Sequence, residues 1–178
     1  EILANYIHYP GTLIAAQGSY YLEGFKKKMN SNPMYGRVEI VNLNSTLAEP
    51  NSVDAVVTFR NLHNWLGSEM DSIFKNSFMA LKPGGSFGVV EHRAKPGTGL
   101  EEMKSSGYVT EAHAIKVALK HGFELVAKSV INANRKDTKD HPKGVWTLPP
   151  RLRLDDEDRD KYEAIGESDR MTLLFRKP

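Results

Sequence analysis

Short apolar runs alternate along the chain with longer stretches in which apolar residues recur every three or four positions. The short runs are rich in β-branched and aromatic residues and end at turn residues, which is typical of buried strands. The longer stretches have the spacing of amphipathic helices. This alternation predicts an α/β fold with a Rossmann-like, mostly parallel sheet and helices on both of its faces. The predicted strands span residues 12–16, 38–43, 55–59, 87–91, 123–130 and 171–176.

The sequence also marks where several helices start and stop. Ser68, with Asp71 three residues on, predicts a capping box at the start of one helix, and Thr110 predicts the cap of another. The motif LKPGG at residues 81–85 predicts a turn that ends the first of these helices before the next strand. Gly122 is expected to stop the second helix.

The strand–helix rhythm breaks over residues 132–169, which we interpret as a long loop insertion. This stretch is rich in charge, proline and turn residues and has little periodicity. The chain then closes on the strand at 171–176, which we expect to pair with the strand ending near Ile131. Two strands that are joined by a loop and pair directly run antiparallel. We therefore predict a single domain over residues 1–178 with an antiparallel C-terminal strand.

Composition and charge exclude few classes of protein. The 24 Lys and Arg residues exceed the 22 Asp and Glu residues by two and are scattered, so we expect no nucleic-acid partner. No run is apolar enough to span a bilayer and the first residues lack the pattern of a signal peptide, so we expect no membrane partner. The absence of cysteine removes disulfides and thiolate metal ligands. The compartment stays open, cytoplasmic or, if a leader has been removed, periplasmic, and a homodimer is one option for the oligomeric state.

Polar residues follow the predicted strands on the side of the sheet where ligands bind. In open α/β folds that side lies beyond the carboxyl ends of the parallel strands. Arg60 and Asn61 follow the strand at 55–59 and lead to His63 and Trp65. The other strand ends carry Gln17, Asn44, Glu91, His92 and Arg93. This placement favours a ligand-binding role over the ordinary polarity of loops.

The order of the signals in the second half of the chain is more distinctive than any one of them. It runs from the strand and loop VDAVVTFRNLHNW through an amphipathic helix and LKPGG to the strand end VVEHR. This order resembles the second half of a class I S-adenosylmethionine-dependent methyltransferase. More narrowly, the chain is similar to a bacterial group of predicted methyltransferases in the segments TFRNLHNW, EHRAKPG, INANRKDTKDHPKGVWTLPP and IGESDRMTL. The resemblance covers nearly the whole chain and implies a last strand inserted antiparallel between the two strands before it.

The resemblance implies S-adenosyl-L-methionine as the cofactor and places it across the strand ends. In the family, the residue that ends the second strand meets the ribose, and here that residue is Gln17. Asn44 and Ser45 would approach the adenine, and Arg60 and Asn61 would line the methionine end. The ribose contact is usually acidic in the family, whereas Gln17 accepts only through its amide oxygen. The family's glycine-rich turn after the first strand is absent, so we expect a domain truncated at its N-terminus.

Methyl transfer from a sulfonium needs mainly in-line positioning, with a base only where the nucleophile keeps its proton. His63 and His92 are the candidate bases, and Glu91 is a candidate to orient or deprotonate a substrate. The alternative for Glu91 is an ion pair with Arg93 or Arg60. A metal site built from His63, Glu91 and His92 matches no known ligand spacing, so we expect no metal.

The candidate contacts to the substrate are Trp65, Arg93 and Trp146. If the extended backbone continues beyond the strand at 55–59, Asn61 and His63 face the pocket and Leu62 turns inward to the core. Trp65 would then wall the pocket. Trp146 lies in a proline-flanked stretch and is either a plug over the core or a lid over the substrate.

These observations favour an S-adenosylmethionine-dependent methyltransferase that acts on an unknown small-molecule acceptor. A nicotinamide-binding oxidoreductase on a similar sheet is the enzyme alternative, although no glycine-rich dinucleotide pattern follows Glu1. A non-catalytic binding protein with the methyltransferase fold is the other alternative, which Gln17 and the absent glycine-rich turn keep open.

Overall fold

The computed structural model describes residues 2–7 and 9–178, and its strands form two sheets. The strands are β1 (Leu13–Gln17), β2 (Val38–Asn42), β3 (Val53–Phe59), β4 (Leu81–His92), β5 (Glu124–Ser129) and β6 (Arg170–Arg176). The α-helices are α1 (Ser19–Asn30), α2 (Leu62–Trp65), α3 (Ser68–Ala80), α4 (Leu100–Ser106), α5 (Glu111–Lys120) and α6 (Arg159–Ile165). Short 3-10 helices span Ile2–Asn5, Pro33–Tyr35 and Gly144–Thr147. Within the described residues, no helix is long and apolar enough to cross a membrane.

The strand order confirms the predicted topology. β1 and β2 form a parallel pair, and a separate sheet has the order β3-β4-β6-β5. β3 runs parallel to β4, with Phe59 opposite Val90, whereas β6 runs antiparallel to both of its neighbours. The last strand therefore lies between the two strands that precede it in the chain. The predicted α/β class with an antiparallel C-terminal strand is confirmed.

β4 begins earlier than predicted, because the LKPGG segment joins the sheet instead of forming only a turn. Leu81 lies opposite Val53 of β3. On the other side, the Gly84 N–H donates to the Lys177 carbonyl over 2.8 Å, and the Lys177 N–H donates to the Gly85 carbonyl over 3.0 Å. Gly84 adopts a φ of 80°, a left-handed conformation that glycine reaches without a steric penalty, so the chain still bends here.

The two predicted helix caps have different outcomes. Thr110 caps α5 as predicted, since its hydroxyl accepts a backbone N–H of the first helical turn over 3.1 Å. The capping box of α3 is wrong, because the N-cap residue is Gly67 and no side chain caps the helix. The Asp71 carboxylate instead lies 2.7 Å from Lys120 Nζ and 3.0 Å from His121 Nε2, at the end of α5. These tertiary partners hold α3 against α5 and take the place of the local cap.

The main core lies between the four-stranded sheet and the helices α3 and α5. Alternate residues of β4 and β6 point into it and meet buried residues of both helices. Phe87 stands at its centre, with its ring centroid 5.0 Å from those of Phe74 and Phe123. In β4 every second side chain from Phe87 onward is buried, and this pattern continues through Val89 to Glu91, which is 0% exposed. The buried face of β4 therefore ends in a carboxylate, which follows a series of buried apolar side chains.

The opposite face of the four-stranded sheet is apolar and open in the part of the chain that the structure describes. Val57 is 48% exposed, Phe59 53% and Leu174 39%. The pairing register places Val57, Gly88 and Leu174 in one row across three strands. The main contacts of α1 are with β1 and β2. The packing that positions the candidate site therefore comes from the side of α3 and α5.

The connection over residues 132–169 is fixed to the domain by the buried carboxylate of Asp137. This carboxylate accepts hydrogen bonds from the Tyr108 hydroxyl over 3.0 Å and from the Asp169 N–H over 2.7 Å. The Asp169 carbonyl in turn accepts the Arg93 N–H over 2.9 Å. The two ends of the connection are therefore seated against the carboxyl end of β4.

Candidate active site

Glu91 is the buried centre of the candidate site, at the carboxyl end of β4. Its two carboxylate oxygens form hydrogen bonds with four nitrogen atoms. Those nitrogens are the backbone N of Leu62, His63 and His92 and the ring Nδ1 of His63. Burial of a carboxylate is strongly unfavourable unless hydrogen bonds compensate for it, and these contacts provide that compensation.

Among the described residues, neither Arg93 nor Arg60 forms an ion pair with Glu91, so the alternative role of Glu91 as their ion-pair partner is wrong. The Arg93 guanidinium donates to Asp169 over 2.7 and 3.0 Å and to Glu111 over 3.0 Å. The reason is that backbone N–H groups and the imidazole of a neighbouring loop already occupy both oxygens of Glu91. Burial would raise the pKa of Asp169, but the hydrogen bonds from Arg93 and Lys139 outweigh burial and lower it to about 2.

The loop after β3 forms the short helix α2 instead of the expected extended continuation. Arg60 adopts a φ of 57° and turns the chain, and the helix then spans Leu62–Trp65. The Glu91 carboxylate accepts the first N–H groups of this helix, which explains why so short a helix forms. Leu62 is fully buried in the main core as predicted, and Trp65 packs against the same core.

His63 is oriented by Glu91 in a way that suits a general base. Its Nδ1 lies 3.0 Å from Glu91 Oε1, and its side chain is 8% exposed. A carboxylate can only accept hydrogen bonds, so in the neutral imidazole Nδ1 carries the hydrogen and Nε2 keeps a lone pair. The ring centroid is 5.4 Å from that of His92 and 5.9 Å from that of Trp146. His63 therefore presents an acceptor nitrogen in a fixed orientation.

His92 is a weaker base than its position suggests. Burial lowers its pKa from 6.5 to about 4, even though the nearby Glu91 acts in the opposite direction. His92 is therefore neutral at physiological pH, and a general base works best when its pKa lies near the working pH. Its Nδ1 is also engaged, 2.5 Å from the Ser168 hydroxyl oxygen. Of the two candidate bases, the geometry favours His63.

We predict that His92 makes the protein less stable as the pH falls from about 6.5 to about 4. The unfolded state binds this proton near pH 6.5 and the folded state only near pH 4, so the unfolded state binds more protons in this window. The loss of stability is at most about 3.5 kcal/mol, given about 1.4 kcal/mol per pKa unit. Urea unfolding across this pH range measures it. His92→Asn should flatten the curve, and an equally steep curve in that variant would contradict the prediction.

Trp146 is held beside His63 by the close packing of two glycines. Gly144 adopts a φ of 55°, and a Cβ at this position would lie 2.0 Å from the Ser106 carbonyl oxygen, so only glycine fits. A Cβ at Gly107 would lie 3.1 Å from the Trp146 ring. The indole meets the His63 ring edge to face, with centroids 5.9 Å apart. The indole is therefore a fixed wall beside His63.

The predicted cofactor residues lie at strand ends of both sheets. Gln17 ends β1, and its Oε1 accepts the backbone N–H of the next residue over 3.0 Å. Asn44 and Ser45 are exposed in the loop after β2. Asn76 of α3 donates to the Ser45 carbonyl over 3.1 Å, which links this loop to the main core. The other two predicted cofactor residues, Arg60 and Asn61, are exposed in the loop that follows β3.

Four of the predicted site residues come together, namely His63, Glu91, His92 and Trp146. Trp65 instead faces the main core, and Arg93 is engaged in ion pairs with Asp169 and Glu111. Sequence reasoning missed Ser168, whose hydroxyl binds His92. A signal for it exists, because an antiparallel last strand begins where the parallel strands end. The residues just before β6 therefore reach the same side of the sheet.

The donor atoms of His63, Glu91 and His92 lie within 4.8 Å of one another, which is close enough to consider a metal ion. Both oxygens of Glu91 already form hydrogen bonds with nitrogen atoms, and the Nδ1 atoms of both histidines have partners. These contacts hold the three side chains in place without a metal ion. We therefore interpret the cluster as a hydrogen-bonded network.

The fold is similar to that of solved methyltransferases and of a cyclase. The [4+2]-cyclase SpnF is 16% identical, with a TM-score of 0.64 over 98% of this chain and 70% of that chain. A SAM-dependent methyltransferase from Methanosarcina mazei is 13% identical, with a TM-score of 0.62 over 99% of this chain and 85% of that chain. A geranyl diphosphate C-methyltransferase from Streptomyces coelicolor A3(2), solved with Mg²⁺, geranyl diphosphate and S-adenosyl-L-homocysteine, is 8% identical, with a TM-score of 0.62 over 99% of this chain and 66% of that chain.

Identities this low establish the fold alone. No family model matches the sequence, and no curated protein matches it. The strand order and the similarity to solved structures together show that the chain has the fold of the class I S-adenosylmethionine-dependent methyltransferases. The order of the sequence signals resembles the same class, so two independent observations agree on the fold.

Proposed function

We propose that this protein is an S-adenosylmethionine-dependent methyltransferase that acts on a small-molecule acceptor. The observation that carries the proposal is the buried pair of Glu91 and His63 at the carboxyl end of β4, beside Trp146. In open α/β folds, ligands bind on this side of the sheet. A histidine whose Nε2 is held as an acceptor is suited to take the proton of an acceptor hydroxyl.

S-adenosyl-L-methionine is compatible with the residues at the other strand ends. Asn44 and Ser45 are exposed after β2 and would contact the adenine, and Arg60 and Asn61 are exposed after β3 and would contact the methionine end. The Gln17 amide oxygen is occupied by a backbone N–H, so its NH₂ group would donate to the ribose oxygens. When bound, the cofactor supplies a methyl group that is already electrophilic.

The residues of the chain then have to orient the acceptor and take its proton. His63 Nε2 would take the hydroxyl proton of the acceptor as the acceptor oxygen receives the methyl group that the cofactor supplies. Glu91 stabilises the resulting imidazolium through its contact with Nδ1 at 3.0 Å. Trp146 provides an apolar wall beside the reacting groups.

We expect S-adenosylhomocysteine to raise the melting temperature of the full chain. A ligand that binds only the native state stabilises it, by about 2.7 kcal/mol at a hundredfold excess over Kd. Thermal melts at millimolar ligand measure the shift, with NAD⁺ as the control for a nicotinamide-binding oxidoreductase. A shift with NAD⁺ alone would support the oxidoreductase, and no shift with S-adenosylhomocysteine would overturn the assigned cofactor.

The fold by itself does not decide between methyl transfer and another reaction, since the similar protein SpnF is a [4+2]-cyclase. Binding of the cofactor product is therefore a test of the ligand, and a turnover assay is a test of the reaction. A folded protein that binds S-adenosylhomocysteine but transfers no methyl group would support the non-catalytic alternative.

A further inference from the structure

Ser168 and His92 form a second buried pair beside the pair of Glu91 and His63. Ser168 is buried, and its hydroxyl oxygen lies 2.5 Å from His92 Nδ1. Within the part of the chain that the structure describes, His92 Nδ1 is the one hydrogen-bond partner of this hydroxyl. The rings of His92 and His63 lie next to each other, with centroids 5.4 Å apart. The two neighbouring imidazoles thus have different groups bound at Nδ1.

The Ser168 hydroxyl determines which nitrogen of His92 carries the hydrogen. A buried hydroxyl hydrogen without an acceptor is more unfavourable than an unused oxygen lone pair. The hydroxyl therefore donates to Nδ1, and the neutral imidazole carries its own hydrogen on Nε2. The neutral form is the relevant one, because burial lowers the pKa of His92 to about 4. His92 consequently presents a donor where His63 presents an acceptor.

We propose that Ser168 is a positioning residue that makes His92 a hydrogen-bond donor to the methyl acceptor, and that the two histidines together select a hydroxyl compound with a second oxygen that accepts a hydrogen bond. This inference rests on the proposed function. His63 takes the proton of the reacting hydroxyl, and His92 donates its Nε2–H to the second oxygen.

The two histidines lie close enough to bind one small molecule together. A ring nitrogen of His63 and a ring nitrogen of His92 lie within 4.8 Å of each other. Hydrogen bonds of about 2.9 Å from the two rings can therefore reach two oxygens of the same molecule. The indole of Trp146 beside His63 adds a flat apolar wall that suits an aromatic acceptor. The substrate class is therefore a phenol with a second oxygen that accepts a hydrogen bond.

The tautomers are tested by long-range ¹H–¹⁵N NMR of the histidine rings of the full chain at neutral pH, without cofactor or acceptor. We expect the hydrogen on Nδ1 of His63 and on Nε2 of His92. Ser168→Ala should abolish the fixed tautomer of His92 and leave that of His63 unchanged, and Ser168→Thr should restore it. Ser105→Ala, which removes an exposed serine hydroxyl of α4, is the matched control. A His92 with its hydrogen on Nδ1 would overturn the proposal.

The selectivity is tested by titrating the full chain, in the presence of S-adenosylhomocysteine, with the three methoxyphenol isomers and the matching ethylphenols, in which a methylene group replaces the ether oxygen. We expect at least one methoxyphenol to bind about fivefold to tenfold more tightly than its ethylphenol, which corresponds to one hydrogen bond. Ser168→Ala should bring this ratio close to one, and Ser168→Thr should keep it. Equal binding within all three pairs to the wild type would overturn the proposed substrate class. Because the tautomers are measured without ligands, their outcome is separate from the proposed function, which fails if S-adenosylhomocysteine does not bind.

Discussion

Replacing His63 by alanine should lower the rate of methyl transfer by about 10²- to 10⁴-fold, the usual contribution of a general base. The fold should be affected much less. Glu91 keeps its backbone partners in this variant, so the lost ring contact should lower the free energy of unfolding by only about 1 kcal/mol. Single-turnover methyl transfer and thermal melts measure the two effects.

His121→Ala is the matched control for this prediction. His121 also lies 3.0 Å from a carboxylate, that of Asp71, but at the end of α5. We expect this variant to keep the wild-type rate. If His63→Ala stays fully active and only its melting temperature falls, His63 is a packing residue and the assignment as a base is wrong.

Replacing the adjacent Leu62 by alanine should cause a large loss of stability, in contrast to the small loss expected for His63→Ala. Leu62 is 0% exposed and lies in the main core, so its truncation leaves a cavity beneath α2. The expected decrease in the free energy of unfolding is about 2–5 kcal/mol. Urea unfolding measures it directly.

Leu119→Ala provides the comparison for the Leu62 variant. Leu119 lies on α5 and is 52% exposed, so the same truncation should change the free energy of unfolding by about 0.5 kcal/mol or less. If the Leu62 variant is as stable as the Leu119 variant, the position of α2 over the core is wrong.

Most of the fold could be predicted from the sequence because its signals are local and occur in a fixed order. The β-rich runs, the amphipathic helices and the charged connection 132–169 together imply where the last strand must pair, and β6 pairs there. The helix α2 could not be predicted in this way. Its first N–H groups are capped by Glu91, which is 29 residues further along the chain than Leu62. The capping box of α3 failed for a similar reason, since Asp71 binds the end of α5.

The candidate site was predicted in part, since the ends of neighbouring parallel strands must lie close together. This rule brings His63 of the loop after β3 to Glu91 and His92 at the end of β4. The sequence does not indicate which carboxylate binds which cation, so an ion pair of Arg93 with Glu91 stayed open as an alternative, whereas Arg93 pairs with Asp169. The sequence also does not show that His92 is buried. Burial lowers the pKa of His92 and makes it a weaker candidate base than His63.

Transfer of a radiolabelled methyl group measures the proposed reaction itself. The full chain is incubated with methyl-labelled S-adenosylmethionine and the methoxyphenol that binds most tightly, and labelled product is measured for the wild type and for His63→Ala. We predict labelled product with the wild type and a decrease of about 10²-fold or more with the variant. A folded wild type that binds S-adenosylhomocysteine and this methoxyphenol yet forms no labelled product would contradict the proposed methyl transfer.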